Sequence, residues 1–224
     1  MFPVSDVIPS RTTPYVTITL IVLNSLAFLY ELQLDGSEVR GLVERFGVVP
    51  ANFSWAATIT SQFLHDGWLH FGGNMLCLWI FGDNVEDAFG HARYLLFYVL
   101  AGTAAAAGHA TVHQESSIPL IGASGAIAGT LGAYFVLYPR SRVLTAVFLI
   151  VFLDLIEIPA IFFLGVWLLL QLVSSVASIG ADAADGATAV WSHLTGFVAG
   201  IVAGALTRLR VLNSYWSDRG PVVR

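Results

Sequence analysis

From Pro159 to Ser178 the chain runs for twenty residues without one charged side chain. Coiled into a helix, such a run is about 30 Å long, the thickness of a bilayer's hydrocarbon core. It is not isolated, because Tyr15–Leu32, His70–Val85, Tyr94–His109, Ser124–Tyr138 and Val190–Leu209 are also predominantly apolar. No water reaches backbone amides inside lipid, so segments of this kind must satisfy their own hydrogen bonds as helices. The chain therefore reads as an all-α polytopic membrane protein with six spans. At 56% hydrophobic and only 11% charged residues, a soluble domain is excluded. The net charge of −5 points to no partner, and a nucleic-acid ligand is not expected. Cys77, the only cysteine, lies in an apolar run and reads as a buried hydrophobe.

Residues 1–14 contain Pro3, Pro9 and Pro14 and no apolar core, so they read as a short polar tail rather than a signal peptide. The membrane domain is expected over 15–209, and 210–224 closes the chain as a second tail. Between the first two spans, Val39, Leu42, Val43 and Phe46 recur at helical spacing opposite Glu38, Arg40, Glu44 and Arg45. That pattern predicts an amphipathic helix lying in the interface. Val143–Leu155 is apolar but short and is followed by Glu157, which predicts an interfacial segment. All ten basic residues are arginines. Six spans leave Arg11, Arg93, Arg140, Arg142, Arg208, Arg210, Arg219 and Arg224 on one side and only Arg40 and Arg45 on the other. The positive-inside bias then puts both termini in the cytoplasm, as for a multi-pass protein of a prokaryotic plasma membrane.

With that topology the even-numbered spans begin at the same surface. His70 and Asn74 open the second, Ser124 the fourth and His193 the sixth, so four polar residues share one depth. Ser124 sits among Gly122, Gly125 and Gly129 after a loop marked by Pro119, at the start of a helix whose first N–H groups have no partner within it. A serine hydroxyl needs a base to become a nucleophile, and histidine titrates in the useful range. Gly196, Gly200 and Gly204 repeat every fourth residue after His193, a stripe able to approach Gly125, Gly129 and Gly132 closely. His70 and Asn74, one turn apart, face the same way and can both donate to one oxyanion.

Other polar residues read as structural. His109 and His113 have i, i+4 spacing but no third ligand, so neither a metal nor another cofactor is expected. Asp182 and Asp185 read as solvated loop residues, and Asp83, Glu86 and Asp87 as charges closing the second span.

The stretches His65-Asp66-Gly67-Trp68-Leu69-His70-Phe71-Gly72-Gly73-Asn74-Met75, Gly122-Ala123-Ser124-Gly125 and His193-Leu194-Thr195-Gly196 resemble the rhomboid intramembrane serine proteases. The resemblance implies a Ser124–His193 dyad with no catalytic aspartate. His70, Asn74 and the Ser124 N–H would form the oxyanion hole. It also implies a half-embedded loop between the first two spans and an active-site cap at 179–188. A structural glutamate is implied at Glu86, and the implied substrates are transmembrane proteins cut at small residues. This chain departs from common members at Ala56, Gly73 and Ala128, where an arginine, a bulky residue and an aromatic are frequent. The fifth span, bearing Phe163 and Trp167, reads as the gate through which a substrate helix enters. A catalytically silent relative that binds or sorts membrane clients is the alternative. A third reading is a solute or proton pathway, which the clustering of the polar residues near one leaflet disfavours.

Overall fold

A computed structural model describes residues 2–149, 152–177 and 190–219. Eight α-helices dominate these residues: α1 (Tyr15–Glu31), α2 (Gly36–Phe46), α3 (Ala57–Thr60), α4 (Gly67–Phe89), α5 (His91–Val112), α6 (Ser124–Leu137), α7 (Ala160–Ala177) and α8 (Val190–Arg219). Three strands, β1 (Phe2–Asp6), β2 (Arg142–Leu149) and β3 (Phe152–Pro159), complete the described chain. The loop 179–188, with Asp182 and Asp185, lies outside the described residues.

The bundle is built around α6. Its sequence is apolar all round, with no polar face to turn toward solvent, and every residue from Gly125 to Tyr134 is buried. Small residues let its neighbours come within backbone distance. A Cβ added to Gly200 would lie 1.9 Å from the Gly129 carbonyl oxygen, and one on Gly196 would lie 2.1 Å from that of Gly125. From the other side, a Cβ on Gly132 would be 2.1 Å from the Phe197 oxygen. The opposite face meets the alanine-rich α5, where Cβ atoms on Gly125 and Gly129 would come 2.7 Å from those of Ala105 and Ala101. Phe81, Tyr134, Leu164 and Phe197 fill the remaining core.

Among the described residues, His91–Val112 and Val190–Leu209 are long and apolar enough to cross a membrane. Tyr15–Glu31, Ser124–Leu137 and Ala160–Val173 are apolar but shorter. The helix α8 continues past Leu209, the boundary expected from composition. Between α1 and α4 the amphipathic α2 begins at a reciprocal cap. The Asp35 carboxylate accepts from the Ser37 and Glu38 N–H groups at 2.8 and 3.0 Å, and Glu38 accepts from the Asp35 N–H at 2.9 Å.

The sheet corrects one expectation and gives a second segment its conformation. Within Val143–Leu155, expected as an interfacial segment, Val143–Leu149 and Phe152–Leu155 pair in an antiparallel hairpin, with Val143 opposite Ile158 and Thr145 opposite Ile156. Residues 2–6, expected as part of a polar tail, form its third strand, pairing Phe2 with Ala146 and Asp6 with Val143. The reason is local chemistry: Val143 and Thr145 are buried and β-branched, and their neighbours Leu144 and Ala146 face the other side, the period of a strand.

The sheet end of the bundle carries a polar network. Pro14, at the start of α1, has no capping side chain, and the buried Glu86 of α4 does that work from another helix. Its carboxylate accepts from the Val16 and Thr17 N–H groups at 2.9 and 2.8 Å and from the Thr17 hydroxyl at 2.7 Å, and His91 Nδ1 lies 2.6 Å away. The negative charge sits at the positive end of the α1 dipole. Beside it, Asp6 accepts from the Tyr134 hydroxyl at 2.6 Å and from Asn84 Nδ2 at 2.9 Å, which fastens β1 to α6 and α4.

Burial pushes the Asp6 carboxyl up to about 6, the Tyr134 hydrogen bond opposing this and Asp83 adding to it. A carboxyl raised in the folded state gives a stabilisation that is complete below its ordinary value of 3.8 and is lost as pH rises through about 6. Thermal unfolding in detergent should thus show the wild-type midpoint falling between pH 4 and pH 7 relative to Asp6→Asn. Parallel curves for the two proteins would remove Asp6 as the titrating group.

Candidate active site

Four helix ends meet at the face opposite the sheet: the N-termini of α4, α6 and α8 and the C-terminal part of α7. Ser124 is the first residue of α6. The loop before it is held by the segment between α2 and α4. Val48 and Leu120 exchange backbone hydrogen bonds of 3.0 and 2.8 Å, and the Gly122 N–H donates to the Ser61 carbonyl at 2.9 Å. Gly122 has φ +114°, a conformation that suits glycine, and a Cβ there would lie 2.6 Å from His70 Nε2. This glycine is what lets the His70 ring lie beside Ser124.

Three of the four residues expected to share a depth, Ser124, His193 and His70, are brought together, and Asn74 stands one turn along α4 from His70. Ser124 Oγ and His193 Nε2 are 2.9 Å apart. A hydroxyl at this distance can pass its proton to an unprotonated imidazole nitrogen. Asp66 donates its N–H to His70 Nδ1 at 3.3 Å, which leaves the ring proton on Nε2, the nitrogen toward Gly122. Asn74, one turn along α4, is only 8% exposed, and its Nδ2 has no hydrogen-bond partner. A buried donor left unpaired usually costs about 1–3 kcal/mol, so such an atom marks a place where an acceptor is received. The His70 ring and the first N–H groups of α6 thus lie beside the Ser124 hydroxyl, with the unpaired Asn74 amide one turn along α4 from His70. His65 lies beneath, edge-on to His70 at 5.2 Å and to Phe71 at 5.5 Å; its imidazole is pushed down to about 4, mainly by burial.

The glycines of the sequence reading fall into two roles. Gly122 adjoins His70, whereas Gly125, Gly129, Gly196 and Gly200 set the separation of α6 and α8. Phe163 and Trp167 of α7 turn partly inward. Phe163 stacks on Phe81 with ring centroids 6.4 Å apart, and Trp167 lies 6.0 Å from the His193 ring and 5.7 Å from Phe197. The sequence reading missed Gln171, whose Oε1 is 3.2 Å from His193 Nδ1. Its signal was present: one amide in a charge-free helix, a turn after Trp167.

A helical bundle with a serine and a histidine paired at the buried ends of two tightly packed helices defines a class of membrane protein. The Rhomboid domain profile matches residues 52–210, and the chain belongs to that family, whose members are integral membrane proteins. It is 36% identical over 126 residues to the rhomboid protease GluP of Bacillus subtilis, a match covering 54% of this chain and 24% of GluP. It is 30% identical over 156 residues to the mitochondrial Rhomboid protein 1 of Saccharomyces cerevisiae, covering 65% of this chain and 40% of the yeast protein. A putative rhomboid protease of B. subtilis, YdcA, is 31% identical over 125 residues, 55% of this chain and 62% of the relative. The chain therefore spans less than half the length of the first two relatives.

Two glycine substitutions should separate site geometry from bundle packing. In Gly122→Ala the added methyl meets the edge of the His70 ring rather than backbone, so labelling of Ser124 by a fluorophosphonate should fall at least about tenfold with the smaller loss of thermal midpoint. In Gly200→Ala the methyl meets backbone, and overpacking of about 1–3 kcal/mol should lower the midpoint as well. Equal midpoints for the two variants would contradict this division.

Proposed function

We propose that this protein is an intramembrane serine endopeptidase that hydrolyses peptide bonds of transmembrane substrates through a Ser124–His193 dyad. The observation that carries the reading is the 2.9 Å approach of Ser124 Oγ to His193 Nε2. His193 takes the hydroxyl proton as Oγ attacks the scissile carbonyl. The resulting oxyanion is received by Asn74 Nδ2, His70 Nε2–H and the Ser124 N–H. His193 then passes its proton to the departing amine, leaving an acyl-serine that water hydrolyses with the same imidazole as base. The amide and imidazole donors supply the electrostatic stabilisation, and no metal or cofactor takes part. The intact Ser124–His193 pair disfavours a catalytically silent client-binding protein.

The membrane arrangement belongs to the same reading. Six spans, formed by α1, α4, α5, α6, α7 and α8, cross the bilayer over residues 15–209. Both termini lie on the arginine-rich cytoplasmic side of a prokaryotic plasma membrane, as in the sequence reading. Substrate enters between α4 and α7. Among the described residues nothing lies within 4 Å of a Cβ built on Gly72 or Gly73, beside Asn74, whereas the far end of that seam is closed by Phe81 on Phe163. Lateral displacement of α7, with Phe163 and Trp167, opens the route to Ser124.

The test is cleavage of a model transmembrane substrate in proteoliposomes. Ser124→Ala and His193→Ala should each abolish cleavage while inserting normally. Asn74→Ala should slow it by less than the roughly 10²–10³-fold of a sole well-aimed donor, because His70 and a backbone N–H remain. Wild-type cleavage by Ser124→Ala would end the proposal.

A further inference from the structure

A neutral imidazole carries one proton, and His193 can take one from Ser124 only if that proton is on Nδ1. Nothing within the ring enforces this; the partner of Nδ1 does. That partner is Gln171 of α7, with Oε1 3.2 Å from Nδ1. An amide oxygen accepts and never donates, so this contact stabilises the Nδ1–H tautomer and leaves the Nε2 lone pair on Ser124 Oγ. In lipid-embedded surroundings few other acceptors compete, and an amide on an otherwise apolar helix is costly unless paired. The bland alternative is that Gln171 is polar glue between α7 and α8. The geometry favours more, since the contact falls on the one nitrogen whose protonation decides whether Ser124 has a base.

We propose that Gln171 is a positioning residue of the proposed dyad, its side-chain oxygen holding His193 in the tautomer and orientation that accept the Ser124 proton. The inference rests on the serine protease reading and deepens it. Trp167, one turn before Gln171, adds its ring to the same imidazole. Both supports stand on α7, so a displacement of this helix that admits substrate also removes the hydrogen bond that prepares the base. The dyad is competent only when α7 is seated again, and the enzyme is idle while its lateral opening is widest.

The experiment compares wild type, Gln171→Leu and Gln171→Glu on a transmembrane substrate, with Ser124→Ala as reference. Leucine suits an apolar helix and keeps the packing volume. Gln171→Leu should lower kcat by about 10- to 100-fold with little change in KM, less than the roughly 10⁴ seen when a triad acid loses its acceptor role. Gln171→Glu keeps an acceptor and should restore most of the rate. Its carboxylate should also move the acid limb of the kcat profile to higher pH by favouring imidazolium; among the described residues His70 is the other titratable side chain acting on that ring. Nitrogen NMR of the wild-type His193 ring, which needs no variant, should show Nδ1 protonated and Nε2 bare. Wild-type kcat in Gln171→Leu, an equal loss in Gln171→Glu, or a proton on Nε2 would each overturn the proposal. Cleavage by Ser124→Ala would defeat the protease reading instead, so the two failures are distinguishable.

Discussion

The structure depends first on two helices touching through their backbones. Where α6 and α8 cross, the space between the Gly129 carbonyl and the Gly200 Cα is too small for a methyl group, and the same holds at Gly125 with Gly196. In lipid there is little hydrophobic drive to bring helices together, so close van der Waals contact supplies the attraction, and only glycine permits it. The consequence is positional. With the two axes fixed at this separation, residues at the starts of both helices have little freedom relative to each other. Ser124 and His193 are those residues. The same stripe that holds the bundle fixes the 2.9 Å between them.

The third polar helix end, that of α4, is set from both directions. At the sheet end Glu86 joins α4 to the first turn of α1 through three hydrogen bonds that its buried carboxylate accepts. Hydrogen bonds to a charged group are each worth about 1.5–3 kcal/mol, so this joint is strong enough to fix the depth of α4. At the site end the segment between α2 and α4 binds the Ser124 loop at Val48 and Ser61, and His65 packs against His70. Neither contact touches a substrate, yet together they decide where His70 and Asn74 stand. The segment between α2 and α4 is therefore a template for the loop that presents the serine.

What the sequence made legible follows from which signals are local. The six apolar runs, the amphipathic stretch from Val39 to Phe46 and the two glycine stripes depend on spacing within one helix, and their helices stand where spacing puts them. The meeting of Ser124 with His193 was also accessible, because a shared depth and matching small faces leave few ways to pack. The hairpin was not, since a short apolar run such as Val143–Leu149 has no periodicity that separates helix from strand. The strand β1 was less accessible still: a tail containing Pro3 and Asp6 becomes a strand only by pairing with residues about 140 positions away, with a register shift between Pro3 and Ser5. Gln171 was visible as a residue but not as a partner, because its role depends on the rotation of α7 about its axis.

That rotation also accounts for a departure from the family pattern. Four residues after the serine many relatives carry an aromatic that stacks on the histidine; here Ala128 stands there, 1% exposed and packed against α8. A large ring on α6 at that position would collide with the close approach that Gly196 and Gly200 allow. The aromatic beside His193 comes instead from α7, as Trp167, and brings Gln171 with it one turn later. The ring and amide contacts of His193 thus come not from a helix buried on every side but from one with an exposed apolar surface at Phe162, Val166 and Leu169. A histidine braced from the rigid centre is indifferent to motions at the edge of the bundle. One contacted from α7 has that edge as its neighbour, so in this chain the close α6–α8 seam at Ala128 goes with aromatic and amide contacts that reach His193 from the outer helix.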